Sequence, residues 1–198
     1  NRRYVDDQNT RVLIAKKITE PPILNGVLED PCWKAPGPQS EWKHRTQSAW
    51  VQMVSTDVTP KQTVLYVCYD DRNLYLAYVA EEPEPKSVLF IEKKSPGKEH
   101  GFEAYQGDCG EIFIETDGLG GDGYGWQFIL NIYQHMLYDG TNPFTTKGKM
   151  WDPRAKLKGA MGPKRWIVEM AVPFNGFKRD SYAYQGPPKR GERWGIRT

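Results

Sequence analysis

Carboxylates crowd one short stretch of the chain, GDCGEIFIETDGLGGDGYG, in which Glu111, Glu115, Asp117 and Asp122 stand among glycines. Paired carboxylates invite a glycosidase reading, with Glu111 and Glu169 as the pair, because hydrolysis needs an acid and a base or nucleophile about 5 to 10 Å apart. Sequence carries no such distance, and glutamates on the solvent face of strands are the simpler explanation, so catalysis is not expected. Glu115, Asp117 and Asp122 lie near backbone carbonyls that a hard cation such as calcium could use. Their spacing is not that of an EF-hand loop, and Gly-Asp clusters serve in plain turns, which is the reading favoured here. The histidines His44, His100 and His135 have neither a G-x-S-x-G partner nor metal-ligand spacing. The cysteines Cys32, Cys68 and Cys109 lack C-x-x-C spacing, which argues against a zinc ribbon or a c-type haem. Their odd number leaves at least one thiol unpaired within the chain, and Cys68, inside a strand pattern, reads as a small buried hydrophobe.

Bulk composition narrows the partners. Lys plus Arg number 27 against 25 for Asp plus Glu in 198 residues, a net charge of +2 with the signs interspersed. A phosphate-backbone binder shows a basic stripe, and the nearest candidates, EKKSPGK and PPKRGER, read as solvated loops, so no nucleic-acid partner is expected. No apolar run approaches the roughly 20 residues that span a bilayer, and no apolar signal region opens the chain, so no membrane span is expected. The chain begins at Asn1, which leaves open a processed or excised piece.

The elements that must position these residues are mostly strands. Seven Trp and eleven Tyr beside 19 Gly and 15 Pro suit a strand-rich domain with shaped loops. Residues 1–20 read as a polar arm with one short strand over Arg11 to Ala15, and residues 21–198 as the domain proper. EDPCWK predicts a helical turn, with Trp33 as a core plug. Gln62 to Tyr69 and Leu74 to Ala80 predict a hairpin across an Asp70 to Asn73 turn, apolar on both faces as for strands covered on two sides. After the long, weakly periodic stretch from Glu81 to Gln106, alternation predicts three further strands. Ile112 and Ile114 oppose Glu111, Phe113 and Glu115; Trp126, Phe128 and Leu130 oppose Gln127, Ile129 and Asn131; Trp166, Val168 and Met170 oppose Ile167, Glu169 and Ala171. A last strand starts in RWGIRT. With little helix and no repeat, an all-β antiparallel sandwich with long loops follows.

The segments LNGVLEDPCWKAP, VLYVCYDDRNLYLAYVAEE, GDCGEIFIETD, WQFILNIYQHMLYDG, WIVEMAVPF and RWGIRT, in that order, resemble the family 9 carbohydrate-binding modules and their relatives with a DOMON-like, jelly-roll β-sandwich. The resemblance covers most of the chain from Ile23 onward. It implies noncatalytic binding of a polysaccharide or oligosaccharide, with Tyr105 as an aromatic platform and Glu111 bonding sugar hydroxyls. The chemistry is sound on its own: a flat ring covers the apolar face of a pyranose, and a carboxylate accepts hydrogen bonds from paired hydroxyls. Gln127 and Asn131 would add amide contacts. It also implies an extracellular or periplasmic location, no required cofactor, and calcium as an optional ligand. Two positions depart from the family pattern. Ile129 stands where sugar-binding members can place an Arg, and the chain stops at Thr198, before the segment that can supply a second aromatic, as though cut short at its C-terminus.

Two other readings stay open. DOMON-like relatives hold haem b between axial side chains, and Met53, Met136, Met150 or His135 could ligate iron. Alternatively, Trp42, Trp50, Trp151, the 81–106 stretch and the N-terminal arm would serve a protein interface, where Trp and Tyr are enriched.

Overall fold

A computed structural model describes residues 14–34, 39–42, 45–47, 54–58, 61, 63–88, 107–116, 126–133, 135–138, 153–179 and 182–197. The strands, in chain order, are β1 (Lys16–Lys17), β2 (Gln39–Trp42), β3 (Arg45–Gln47), β4 (Val54–Val58), β5 (Thr63–Tyr69), β6 (Asn73–Glu81), β7 (Gly110–Glu115), β8 (Trp126–Leu130), β9 (His135–Tyr138), β10 (Lys156–Met161), β11 (Arg165–Pro173), β12 (Lys178–Arg179), β13 (Tyr182–Ala183) and β14 (Gly195–Arg197). The helical turn predicted in EDPCWK is α1, Pro31–Lys34. The short strand expected over Arg11 to Ala15 falls instead at Lys16–Lys17, and residues 1–13 lie outside the described part.

The strands build two main sheets, which makes the chain an all-β sandwich with little helix. The first runs β1-β5-β6-β11-β10, with β2 also on β5. The outer edge of β5 is shared: β2 pairs antiparallel with its first half and β1 parallel with its last two residues. The second sheet runs β14-β7-β8-β9.

The β5-β6 hairpin closes where turn chemistry predicted it. Asp70 Oδ1 accepts the N–H groups of Arg72 (2.6 Å) and Asn73 (2.7 Å), and Tyr75 donates its hydroxyl to Asp70 Oδ2 at 2.7 Å. These bonds match an Asx turn, in which the short carboxylate stands in for a backbone acceptor. Partial burial alone would push the Asp70 carboxyl up, but the hydroxyl and N–H donors outweigh it and hold the group below its ordinary value.

Strands β6 and β11 lie at the centre of the first sheet and pair along their whole length, from Arg165 opposite Glu81 to Pro173 opposite Asn73. Every residue of 74–80 and 166–172 is buried, which explains why 74–80 reads as apolar on both faces, while in 166–172, read as an alternating strand, the Ile167, Glu169 and Ala171 face is buried as well. Even-numbered residues point into the space between the sheets. There Leu74, Leu76, Tyr78, Trp166, Val168 and Met170 meet Ile112, Ile114, Trp126, Phe128 and Leu130 of the second sheet. Phe174, Phe177 and Trp194 pack into the same core, Trp126 against Phe177 with ring centroids 5.7 Å apart and Phe174 against Trp194 at 6.3 Å.

Odd-numbered residues of β6 and β11 face the other way, onto a second apolar cluster. Trp33, Cys68, Tyr75, Ala77 and Ala171 form it, and Ile18, Leu24, Leu28, Cys32 and Tyr66 pack around them. The 18–34 segment is therefore a cover laid over the outer face of the first sheet. Trp33 is the plug its sequence context suggested, 3% exposed and edge-on to Tyr66. Glu169 lies beneath this cover, completely buried. It accepts hydrogen bonds from Trp33 Nε1 (2.9 Å), Asn25 N (2.9 Å) and Gly26 N (2.7 Å), so the carboxyl is satisfied by the cover itself. Gly26 has φ of +78°, and a Cβ there would lie 2.5 Å from that of Ala160 on β10. No other residue type fits both the left-handed backbone and the close approach.

Candidate functional site

The candidate site stands on the outer face of the second sheet. Strand β7 alternates as predicted: Ile112 and Ile114 are buried in the core, while Glu111, Phe113 and Glu115 are half-buried on the opposite face. Trp126, Phe128 and Leu130 of β8 fill the core, which turns Gln127 and Ile129 outward. The register sets Glu111 opposite Ile129 and Phe113 opposite Gln127, so Glu111 and Gln127 are diagonal neighbours on one face. Diagonal neighbours in an antiparallel pair are within reach of long side chains. Gln127 Nε2 donates to Glu111 Oε1, and Gln127 is itself only 3% exposed. This bond orients the amide and aims the carboxylate that receives it.

Asn131 follows the last residue of β8 and is fully buried. Its Oδ1 accepts the Tyr133 N–H at 2.9 Å, a turn bond that redirects the chain toward β9. Leu130 pairs with Gly110, so Asn131 lies at the same end of the sheet as the start of β7. Gly110 has a steric role there. A Cβ on it would come within 2.7 Å of the Tyr78 ring, which is packed 5.3 Å from Trp166 between centroids. The absent side chain lets β7 cross this ring and set Glu111 beside Gln127. Three of the four expected sugar contacts thus lie on β7, β8 and the turn that follows. The fourth, Tyr105, lies outside the described residues, as do Asp117 and Asp122 of the calcium candidates. Glu115, the remaining calcium candidate, ends β7 opposite Gly195. Among the described residues no three His, Cys, Asp or Glu side chains gather as a metal site.

The glycosidase pair is separated by the fold. Glu111 faces outward from the second sheet and Glu169 outward from the first, with the whole core between them. Packed sheets alone are about 10 Å apart, and the two carboxyls point away from each other, beyond the reach of acid-base work on one bond. Of the haem candidates, Met53 and Met150 lie outside the described residues, while β9 sets Met136 opposite Ile129 and His135 opposite Leu130. The Trp50 and Trp151 of the interface reading also lie outside, and Trp42 takes part in β2.

Sequence reading missed a second polar anchor. Glu192 Oε1 accepts from Tyr184 Oη (2.7 Å) and Trp194 Nε1 (2.9 Å), and Oε2 from Lys189 N (2.8 Å). Tyr184 and Trp194 meet edge to face with centroids 4.9 Å apart. Partial burial opposes ionisation of Glu192, but the backbone donor, the indole and the phenol prevail and hold its carboxyl below the ordinary value. Glu-x-Trp spacing was the available signal, since a carboxylate two residues from an indole on an irregular segment can bond it. This network holds the segment leading into β14, which flanks β7.

No family model and no curated protein matches the chain. Solved structures that share its fold include two family 9 modules. One is a family 9 carbohydrate-binding module from Caldicellulosiruptor kristjanssonii in complex with cellotriose, 14% identical, with a TM-score of 0.51 over 92% of this chain and 72% of that one. The other is a family 9 module from the same organism in complex with glucose, 17% identical, with a TM-score of 0.54 over 91% of this chain and 74% of that one.

Proposed function

We propose that the chain is a noncatalytic saccharide-binding module acting outside the cytoplasm, with the outer face of the β7-β8 sheet as its binding surface. The observation that carries this reading is the hydrogen-bonded Glu111 and Gln127 pair on that face, in a fold shared with modules that hold cellotriose and glucose. A carboxylate held by an amide accepts hydrogen bonds from adjacent sugar hydroxyls in a fixed direction, and Phe113, half-buried beside Gln127, offers apolar surface next to it. Asn131 shapes the end of the surface through its turn, and Tyr105 supplies the stacking ring. Ile129, opposite Glu111 on this strand pair, is fully buried and supplies neither a charge nor a hydrogen bond to a ligand. Separation of Glu111 from Glu169 supports binding without hydrolysis.

Isothermal titration with glucose, cellotriose and a panel of neutral oligosaccharides tests the proposal. Removing Glu111 in a Glu111→Ala variant should cost about 1.5 to 3 kcal/mol of binding, the range for hydrogen bonds to charged groups. Tyr105→Ala should cost about 1 to 3 kcal/mol, by analogy with other ring-stacking contacts. Affinity unchanged in both folded variants would move the site elsewhere on the molecule.

A further inference from the structure

Cys32 and Cys68 are far apart in sequence, and the fold brings them together at one apolar cluster. Cys68 is the sixth residue of β5 and its side chain points to the outer face of the first sheet, where it is completely buried. Cys32 is in α1 of the cover, half-buried, and packs against the cluster to which Cys68 belongs. Both thiols are free. They meet beside Trp33, in the cluster that fastens the cover to the sheet. Cys109 belongs to neither apolar cluster: it precedes β7, on the second sheet.

We infer that Cys32 and Cys68 are a dithiol pair that closes to a disulfide by exchange with a small disulfide, stapling the 18–34 cover to β5. Cys32 is the group an external oxidant can reach. Its thiolate attacks one sulfur of a disulfide such as glutathione disulfide, forming a mixed disulfide and releasing one glutathione. Cys68 then attacks Cys32 Sγ as its thiolate, forming the internal S–S bond and expelling the second glutathione, which takes up the proton that Cys68 gave up. Two thiols are oxidised and one disulfide is reduced, and the two protons leave on the two glutathiones. Burial raises the pKa of both thiols, so closure is slow at neutral pH and quickens as pH rises. The staple constrains the unfolded chain between the cover and β5, so it stabilises the folded state.

The test uses the whole chain, equilibrated from the reduced and from the air-oxidised side in glutathione buffers of graded ratio. Free thiols are counted after denaturation, and peptides are mapped by mass spectrometry without reduction. The expected result is a fall from three thiols to one, a peptide joining Cys32 to Cys68, and a higher urea midpoint that dithiothreitol reverses. Cys109→Ser should form the same link. Three thiols persisting at every ratio, oxidation that stops at a glutathione adduct on Cys32, or a link involving Cys109 would each overturn the assignment.

Discussion

Replacing Glu169 by Ala removes one acceptor that three donors share across the chain. Trp33 Nε1, Asn25 N and Gly26 N all bond this carboxyl, and none is near it in sequence. Orphaning a buried donor costs about 1 to 3 kcal/mol, and the cavity left by the side chain adds to that. Asn25 N is only partly buried and can turn to water, so two orphaned donors and the cavity set the expected loss at about 3 to 5 kcal/mol. That is a large fraction of the 5 to 15 kcal/mol that holds a typical domain folded. Trp33→Phe keeps most of the ring and removes one bond, for a loss of about 1 to 2 kcal/mol. The two changes act on one interaction, so the double variant should lose less than the sum of the singles. Urea unfolding followed by tryptophan fluorescence measures all three, with saccharide titration as a parallel readout. Affinity should hold in the folded fraction, because the cover and the Glu111 face belong to opposite sheets. The reasoning fails if Glu169→Ala unfolds within 1 kcal/mol of the parent, or if strictly additive losses show that Glu169 and Trp33 act separately.

Gly110→Ala should destabilise the fold by about 1 to 3 kcal/mol, because its Cβ must displace the packed Tyr78 ring, and it should weaken sugar binding by shifting Glu111. An unchanged melting temperature and affinity would refute this account of β7. Asp70 gives a pH test. Its folded pKa lies below the ordinary value, so its contribution is present above the unfolded pKa and is lost as pH falls through the folded one. Asp70→Asn should therefore be less stable than the parent at pH 7, with the gap closing below about pH 4; a gap of constant size in urea titrations at pH 7 and pH 3 would contradict the turn's role. Glu192→Gln should follow the same pattern and also loosen Trp194, read as a red shift and greater quenching of tryptophan fluorescence.

Much of the sandwich could be read from spacing alone, because alternation along a strand assigns each residue to a face whatever lies opposite. Ile112 and Ile114 had to share one side of β7 and Glu111 the other, and the same rule set Gln127 outward from β8. Two-sided burial of β6 was equally legible, since apolar residues on both faces demand two covers. The identity of the second cover was not. Nothing local in NGVLEDPCW says that these residues lie across β11, because that packing depends on contacts between segments more than a hundred positions apart. Glu169 was accordingly taken for one of a run of strand glutamates, whereas burial under Trp33 makes it an anchor.

The sequence by itself determined the strands β5, β6, β7, β8, β11 and β14, which of their side chains share a face, and where the Asp70 turn reverses the chain, but not the other strands. These follow from backbone periodicity and from side chains that bond their own neighbours. Only the tertiary structure decided that Glu111 meets Gln127, that Glu169 holds the N-terminal cover, and that Cys32 packs against the cluster of Cys68. Those pairings depend on strand register and sheet stacking, which are set by the sum of many weak apolar contacts over the whole core.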